Sequence, residues 1–270
     1  MEQYIINGLA LHVHRRGQGP ATVWIHGFPL DHRIWDLQAP LAPFFELIAP
    51  DLRGFGFSQV SVEPYTIDDL AEDIDDLLDV LGIPEAVVIG HSLGGYVALA
   101  MARRYRFRVR ALVLVCSQAR ADSEEARSAR LELVSRLLES GSSEVLVERF
   151  QKLFADRTRA QHPELVEAVL ERIRSVPVQA AVHALLAMAD RPDSRPFLDQ
   201  LGLPVLLVHG EEDVLIPVER SEEMARLLPN ARLETIPYAA HMPMLEQPEH
   251  FNRILDTFLK YVTQEQEAAE

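Results

Sequence analysis

The chain has 270 residues, 26 of them Lys or Arg and 41 Asp or Glu, for a formal net charge of −15. That balance argues against nucleic acid and anionic membrane as partners, because both attract basic surfaces. With 48% hydrophobic and 25% charged residues, the chain holds enough apolar surface to offset the entropy of ordering, which excludes disorder for most of its length.

The single cysteine, Cys116, rules out an intrachain disulfide framework and fits a reducing, cytoplasmic setting. The opening Met1-Glu2-Gln3-Tyr4 has no basic segment followed by an apolar run, so no secretory signal is expected. No stretch approaches the ~18 consecutive apolar residues of a membrane span. The polar tail 264–270 is expected to fray.

In chain order, Tyr4–Ile6 and Leu9–His14 are predicted strands around an Asn7-Gly8 turn. Further strands are predicted at Thr22–His26, Phe45–Ala49, Ala86–Gly90, Val109–Cys116, Val205–His209 and Leu233–Ile236. Several are continuous apolar runs, as in a parallel sheet covered on both faces. Thr66 starts a helix that carries Leu70, Ile74, Leu77, Leu78 and Leu81 on one stripe and stops at Gly82 and Pro84. Its acids, Asp68, Asp69, Glu72, Asp73, Asp75, Asp76 and Asp79, are expected to form a solvated face. Arg103, Arg104, Arg106, Arg108 and Arg110 make the one basic run, expected as a solvated helix end.

From about Arg120 to Gln200 no strand pattern appears. Helices are predicted at Ser123–Glu139, Ser143–Phe154, Pro163–Arg174 and Pro177–Ala189. The strand–helix alternation implies an α/β fold with right-handed crossovers. The helical block predicts a cap, residues 120–200, inserted in a core made of 1–119 and 201–270.

The strand Ala86–Gly90 runs into Gly90-His91-Ser92-Leu93-Gly94-Gly95, and a helical pattern, Tyr96–Tyr105, follows. A G-x-S-x-G in a strand–turn–helix setting lifts the serine hydroxyl out of a tight turn, and the helix start aims backbone N–H groups at any anion formed there. Serine at its ordinary pKa is a poor nucleophile, so a base and an orienting acid are needed. The acid is expected after Val205–His209, where Glu211, Glu212 and Asp213 compete. The base is expected after the last strand, where His241 stands in Ala240-His241-Met242-Pro243. Two backbone donors are needed for an oxyanion: the N–H of Leu93 and, from the loop His26-Gly27-Phe28-Pro29, that of Phe28. His26 itself is expected to be structural.

These pieces, with Asp51-Leu52-Arg53-Gly54-Phe55-Gly56-Phe57-Ser58 and Gly210-Glu211-Glu212-Asp213, resemble the α/β-hydrolase superfamily in its branch of capped esterases, in the family's order and across nearly the whole chain. The resemblance implies a mostly parallel, eight-stranded core and a Ser92–Asp213–His241 triad, since Gly-x-x-Asp is the family's usual acid placement. It also implies structural roles for Asp51, Arg53 and Ser58. Ala240 departs from the family, where Gly is frequent before the histidine. Haloalkane dehalogenases and epoxide hydrolases of similar shape use an aspartate nucleophile, which Ser92 argues against. Carboxylesterases, enol-lactonases, C–C bond hydrolases, cofactor-free perhydrolases and some aminopeptidases are the serine relatives.

The expected activity is hydrolysis of small to medium carboxylic esters, with a small-molecule substrate and no cofactor or metal. A lactonase, C–C hydrolase or perhydrolase on the same triad, or a non-catalytic binding protein of this fold, are the alternatives. His12-x-His14 places two imidazoles on one strand face without an evident third ligand. Met242 and Met244 are candidates for an acyl pocket or for core packing. Of the apolar cap residues Phe150, Leu153, Phe154, Leu185, Leu186 and Met188, most are expected to seal the cap against the core and one or two to touch substrate.

Overall fold

A computed structural model describes residues 2–264; the remainder of the polar tail, 265–270, lies outside the described residues. The strands are β1 (Glu2–Ile6), β2 (Leu9–Arg16), β3 (Ala21–Ile25), β4 (Glu46–Pro50), β5 (Ala86–His91), β6 (Val109–Val115), β7 (Val205–Gly210) and β8 (Ala231–Ile236). They form one sheet in the order β1-β2-β4-β3-β5-β6-β7-β8. The pairs from β4 to β8 are parallel, and β1 and β2 close one edge antiparallel. β5, β6 and β7 are buried along almost their whole length, which is why they read as unbroken apolar runs.

Predicted strands differ from observed ones by a residue or two at their ends. At β6 the cause is local: Cys116 turns out of the strand with φ 45°, a conformation that no strand residue adopts.

Helix α1 (Ile67–Leu81) starts at a full capping box between Thr66 and Asp69, and its stripe Leu70, Ile74, Leu77 and Leu78 is buried. Its acidic face is not simply solvated, contrary to expectation. Asp73 is buried, accepts from the Arg53 guanidinium (Nη2 to Oδ1, 2.6 Å) and from Asn7 at 3.0 Å. Asp68 pairs with Arg103 and Arg104, and Asp75 and Asp79 pair with Arg108. Arg110 pairs with Glu85. Most of the basic run thus faces acids of α1 and the loop after it, because α1 packs beside α2 (Leu93–Arg104).

Between β6 and β7 lie only helices: α3 (Glu124–Ser140), α4 (Glu144–Phe150), α5 (Asp156–Gln161), α6 (Pro163–Arg174), α7 (Val178–Ala189) and the short α8 (Arg195–Leu198). α3 packs along α7. The predicted helix Ser143–Phe154 ends at Phe150; a 3₁₀ turn follows and Phe154 is extended. This break frees backbone groups for the core. The Leu153 carbonyl accepts from the His241 N–H at 3.0 Å. The Ala155 N–H and the Thr158 hydroxyl both donate to Glu246, at 2.8 Å each. The Phe150 ring meets Phe28 edge-on at 5.8 Å. The helical block is therefore tied to the two core loops that carry Phe28 and His241.

α9 (Glu219–Leu227), α10 (Pro243–Glu246) and α11 (Pro248–Gln264) complete the chain. Among the described residues no helix is long and apolar enough to cross a membrane.

Candidate active site

The loops following β3, β5, β7 and β8 meet at one end of the sheet. Ser92 follows β5 with φ 51° and ψ −109°, a conformation that costs a non-glycine residue of order 1–3 kcal/mol and persists only where its surroundings enforce it. The enforcing contacts are close. A Cβ on Gly94 would strike the Ile25 carbonyl, and one on Gly90 would strike the Gly94 carbonyl, so only glycine lets strand, turn and helix approach this nearly. Ser117 donates its hydroxyl proton to the Ser92 carbonyl at 2.9 Å, holding the turn from the β6 side. α2 begins at Leu93, and no hydrogen bond among the described residues uses the N–H of Leu93 or of Phe28. Phe28 and Pro29 are joined by a cis peptide bond.

Of the three acids after β7, Asp213 is the one that reaches His241. Its Oδ2 lies 2.7 Å from His241 Nδ1. Its Oδ1 accepts the N–H groups of Leu215 at 2.9 Å and Ile216 at 3.1 Å. Glu211 instead accepts from Thr235 at 3.2 Å, and Glu212 is exposed. Burial alone would raise the Asp213 carboxyl; the facing His241 and the hydrogen bonds from His241 and Ile216 outweigh it, so it sits below the ordinary carboxylate range. An anion here fixes the tautomer and orientation of the imidazole.

Two residues around His241 escaped the sequence reading. His91, the variable residue of the serine motif, is fully buried, packs its ring 4.7 Å from that of His241, and donates from Nε2 to the His241 carbonyl at 2.8 Å. Burial holds it well below the usual imidazole range, with the His241 ring acting in the same direction, so it is neutral and its bare Nδ1 has no partner. Glu246 is the second. Besides its bonds to Ala155 and Thr158, its Oε1 accepts the Ala240 N–H at 2.8 Å and the Met242 N–H at 3.3 Å. Burial pushes its carboxyl up, against these four donors. The sequence signal was thin: an acid five positions after a histidine looks like any surface acid.

Ser92 and His241 line one cavity of about 160 Å³ with Phe28, Phe150, Met188 and Ile216. Of the apolar residues singled out in the helical block, Phe150 and Met188 reach this cavity. Leu153, Phe154 and Leu185 are buried in the core. Met242 and Met244 are also fully buried and do not line it. Cys116 is buried with its thiol pushed well up by burial, and its Sγ lies 3.8 Å from the Ala240 carbonyl.

Two buried clusters have donor sets that suit a cation, Cys116–His209–Asp213 and Asp31–His32–Asp51, but their donors are already engaged. His209 Nε2 donates to the Ile216 carbonyl and Nδ1 accepts from Ser221, both at 2.8 Å. Asp51 accepts from His32 Nδ1 at 2.7 Å and from two backbone N–H groups, and Ser58 donates to its carbonyl. His14 stacks on His32, and His12 lies against Phe57. His26 bridges its own loop to the next, with Nε2 accepting the Leu52 N–H at 2.9 Å.

A family model described as the alpha/beta hydrolase fold matches residues 20–248. The chain belongs to the alpha/beta hydrolase fold family. This α/β hydrolase is 28% identical over 255 residues to 3-oxoadipate enol-lactonase 1 of Acinetobacter baylyi, with 94% of each chain covered. It is 32% identical to the pimeloyl-[acyl-carrier protein] methyl ester esterase of Nitrosomonas europaea, covering 92% of this chain and 98% of the other. Among solved structures, a thermophilic esterase from Thermogutta terrifontis with malate bound superposes with a TM-score of 0.94 at 36% identity, over 97% of this α/β hydrolase and all of that chain.

Proposed function

We propose that this α/β hydrolase cleaves carboxylic esters of small to medium size through an acyl-enzyme on Ser92. The observation that carries the reading is the 2.7 Å bond between Asp213 and His241 beside a serine held at positive φ, with serine and histidine on one cavity wall.

Ser92 Oγ attacks the ester carbonyl and passes its proton to His241; the carbonyl π electrons move onto oxygen, which Phe28 and Leu93 N–H groups stabilise. The tetrahedral species collapses, the acyl–alkoxy bond breaks, and His241 returns the proton to the leaving alcohol. Water then attacks the acyl carbon as His241 takes its proton. The carbon–Oγ bond breaks, the acid departs and Ser92 recovers its hydrogen. Asp213 remains an anion throughout, orienting the imidazole. Residues 120–200 act as the cap, closing the cavity with Phe150 and Met188. A lactone is an internal ester, and the likeness to an enol-lactonase makes it the second substrate to test.

Ser92→Ala is expected to lower kcat on a para-nitrophenyl ester by about 10⁴–10⁶ while leaving the unfolding midpoint unchanged. A fluorophosphonate is expected to add once, on the peptide containing Ser92, as read by mass spectrometry. Retained turnover in the variant, or labelling elsewhere, rejects the assignment.

A further inference from the structure

The cavity wall holds charge that the ester chemistry above does not use. Asp122, Arg130 and Arg149 line it together with Ser92. Asp122 is shared: its Oδ2 accepts from Arg130 Nε and its Oδ1 from Arg191 Nη1, both at 2.6 Å. Arg149 forms no hydrogen bond or ion pair among the described residues. Two guanidiniums therefore share one carboxylate, and Arg149 stands on the same cavity wall with none, in a chain whose net charge is −15.

A solvated rim arginine would need no explanation, but Arg130 is only 18% exposed. Its Nη2 has no partner among the described residues, while Nη1 meets only the Met188 sulfur at 3.5 Å. The rest of the wall mixes apolar side chains, Phe28, Phe150 and Ile216, with Tyr96, Gln118 and His241. Arg149 is exposed to solvent along part of its side chain; loss of some surrounding water and the neighbouring Arg130 charge hold its guanidinium below its ordinary range. With one carboxylate beside these guanidiniums, an excess of positive charge is left at the wall, which a ligand anion would neutralise.

We propose that Arg130 and Arg149 form a carboxylate-binding subsite, so that the preferred substrate carries a free carboxylate as well as the scissile ester. The planar donor fork of arginine matches a carboxylate. The inference rests on the ester-hydrolase reading.

The test compares mono-para-nitrophenyl adipate with para-nitrophenyl hexanoate, which share the acyl chain and differ in the terminal carboxylate. The wild type is expected to favour the adipate in kcat/KM by about tenfold or more, mainly through KM. The ratio is expected to shrink in high salt. Arg149→Met is expected to bring it near unity and Arg149→Lys to restore part of it. Arg174→Met, which removes ion pairs with Glu144, Glu167 and Glu171 elsewhere on the helical block, is expected to keep the wild-type ratio.

Unfolding midpoints identify any variant that fails to fold. In that event competitive inhibition of the wild type by free adipate, against neutral hexanol, supplies the same discrimination. A wild type that turns over both esters equally, or prefers the neutral one, overturns the subsite and leaves the esterase reading standing. No turnover of either ester, with Ser92 unlabelled by a fluorophosphonate, removes both.

Discussion

Asp213 divides its oxygens between two tasks: Oδ2 holds His241, and Oδ1 is fixed by two backbone amides. Asp213→Asn is expected to lower kcat by about 10⁴, because an amide no longer favours the working tautomer. Glu211→Gln and Glu212→Gln are expected to stay within about twofold, since neither side chain is within hydrogen-bond reach of His241.

The depressed Asp213 carboxyl also predicts a pH effect on stability. A folded-state value below the unfolded one, about 3.9, gives stability that is complete above the unfolded value and is lost as pH falls through the folded one. Thermal unfolding of wild type and Asp213→Asn across pH 3 to 7 should show a gap that closes toward the acid end. Residue spacing alone left three acids open here. Their separation is a matter of which carboxylate is buried against the histidine, and spacing carries no information on burial.

The element that decides the site's geometry is the break after α4. A continuous helix through Phe154 would commit the Ala155 N–H to its own ladder and align the Leu153 carbonyl with its axis. The observed turn hands them to His241 and Glu246 instead. Glu246→Ala strands the buried amides of Ala155 and Ala240 and is expected to cost about 3 kcal/mol in chemical denaturation. It is also expected to lower kcat by loosening the His241 loop, with Glu246→Gln intermediate in both. The helical pattern of 143–154 was legible, since Leu146, Val147 and Phe150 recur on one buried face. The break was not, because its partners lie some 90 residues away, with separations of 91 and 88 to Glu246.

At the scale of the molecule, the central strands carry the stability. Leu112 of β6 is fully buried and pairs with Val88 and Val205 on either side. Leu112→Ala is expected to lower unfolding free energy by about 2–5 kcal/mol, with kcat per folded molecule unchanged. The net charge of −15 is spread unevenly. Arg103, Arg104 and Arg108 meet acids of α1, whereas Arg130 and Arg149 line the candidate site with Asp122.

Strand and helix positions, the turn that exposes Ser92, and the helical block were all readable from the chain, because periodicity, capping and glycine requirements act between near neighbours. The eight-stranded sheet was expected only through the family resemblance. Packing alone revealed that Asp73 is a buried partner of Arg53, that His91 bonds His241 across 150 residues, and that Arg130 and Arg149 face the same cavity as Ser92. Those facts depend on which distant segments are pressed together as water is excluded, and a local pattern of residue types does not encode that pairing.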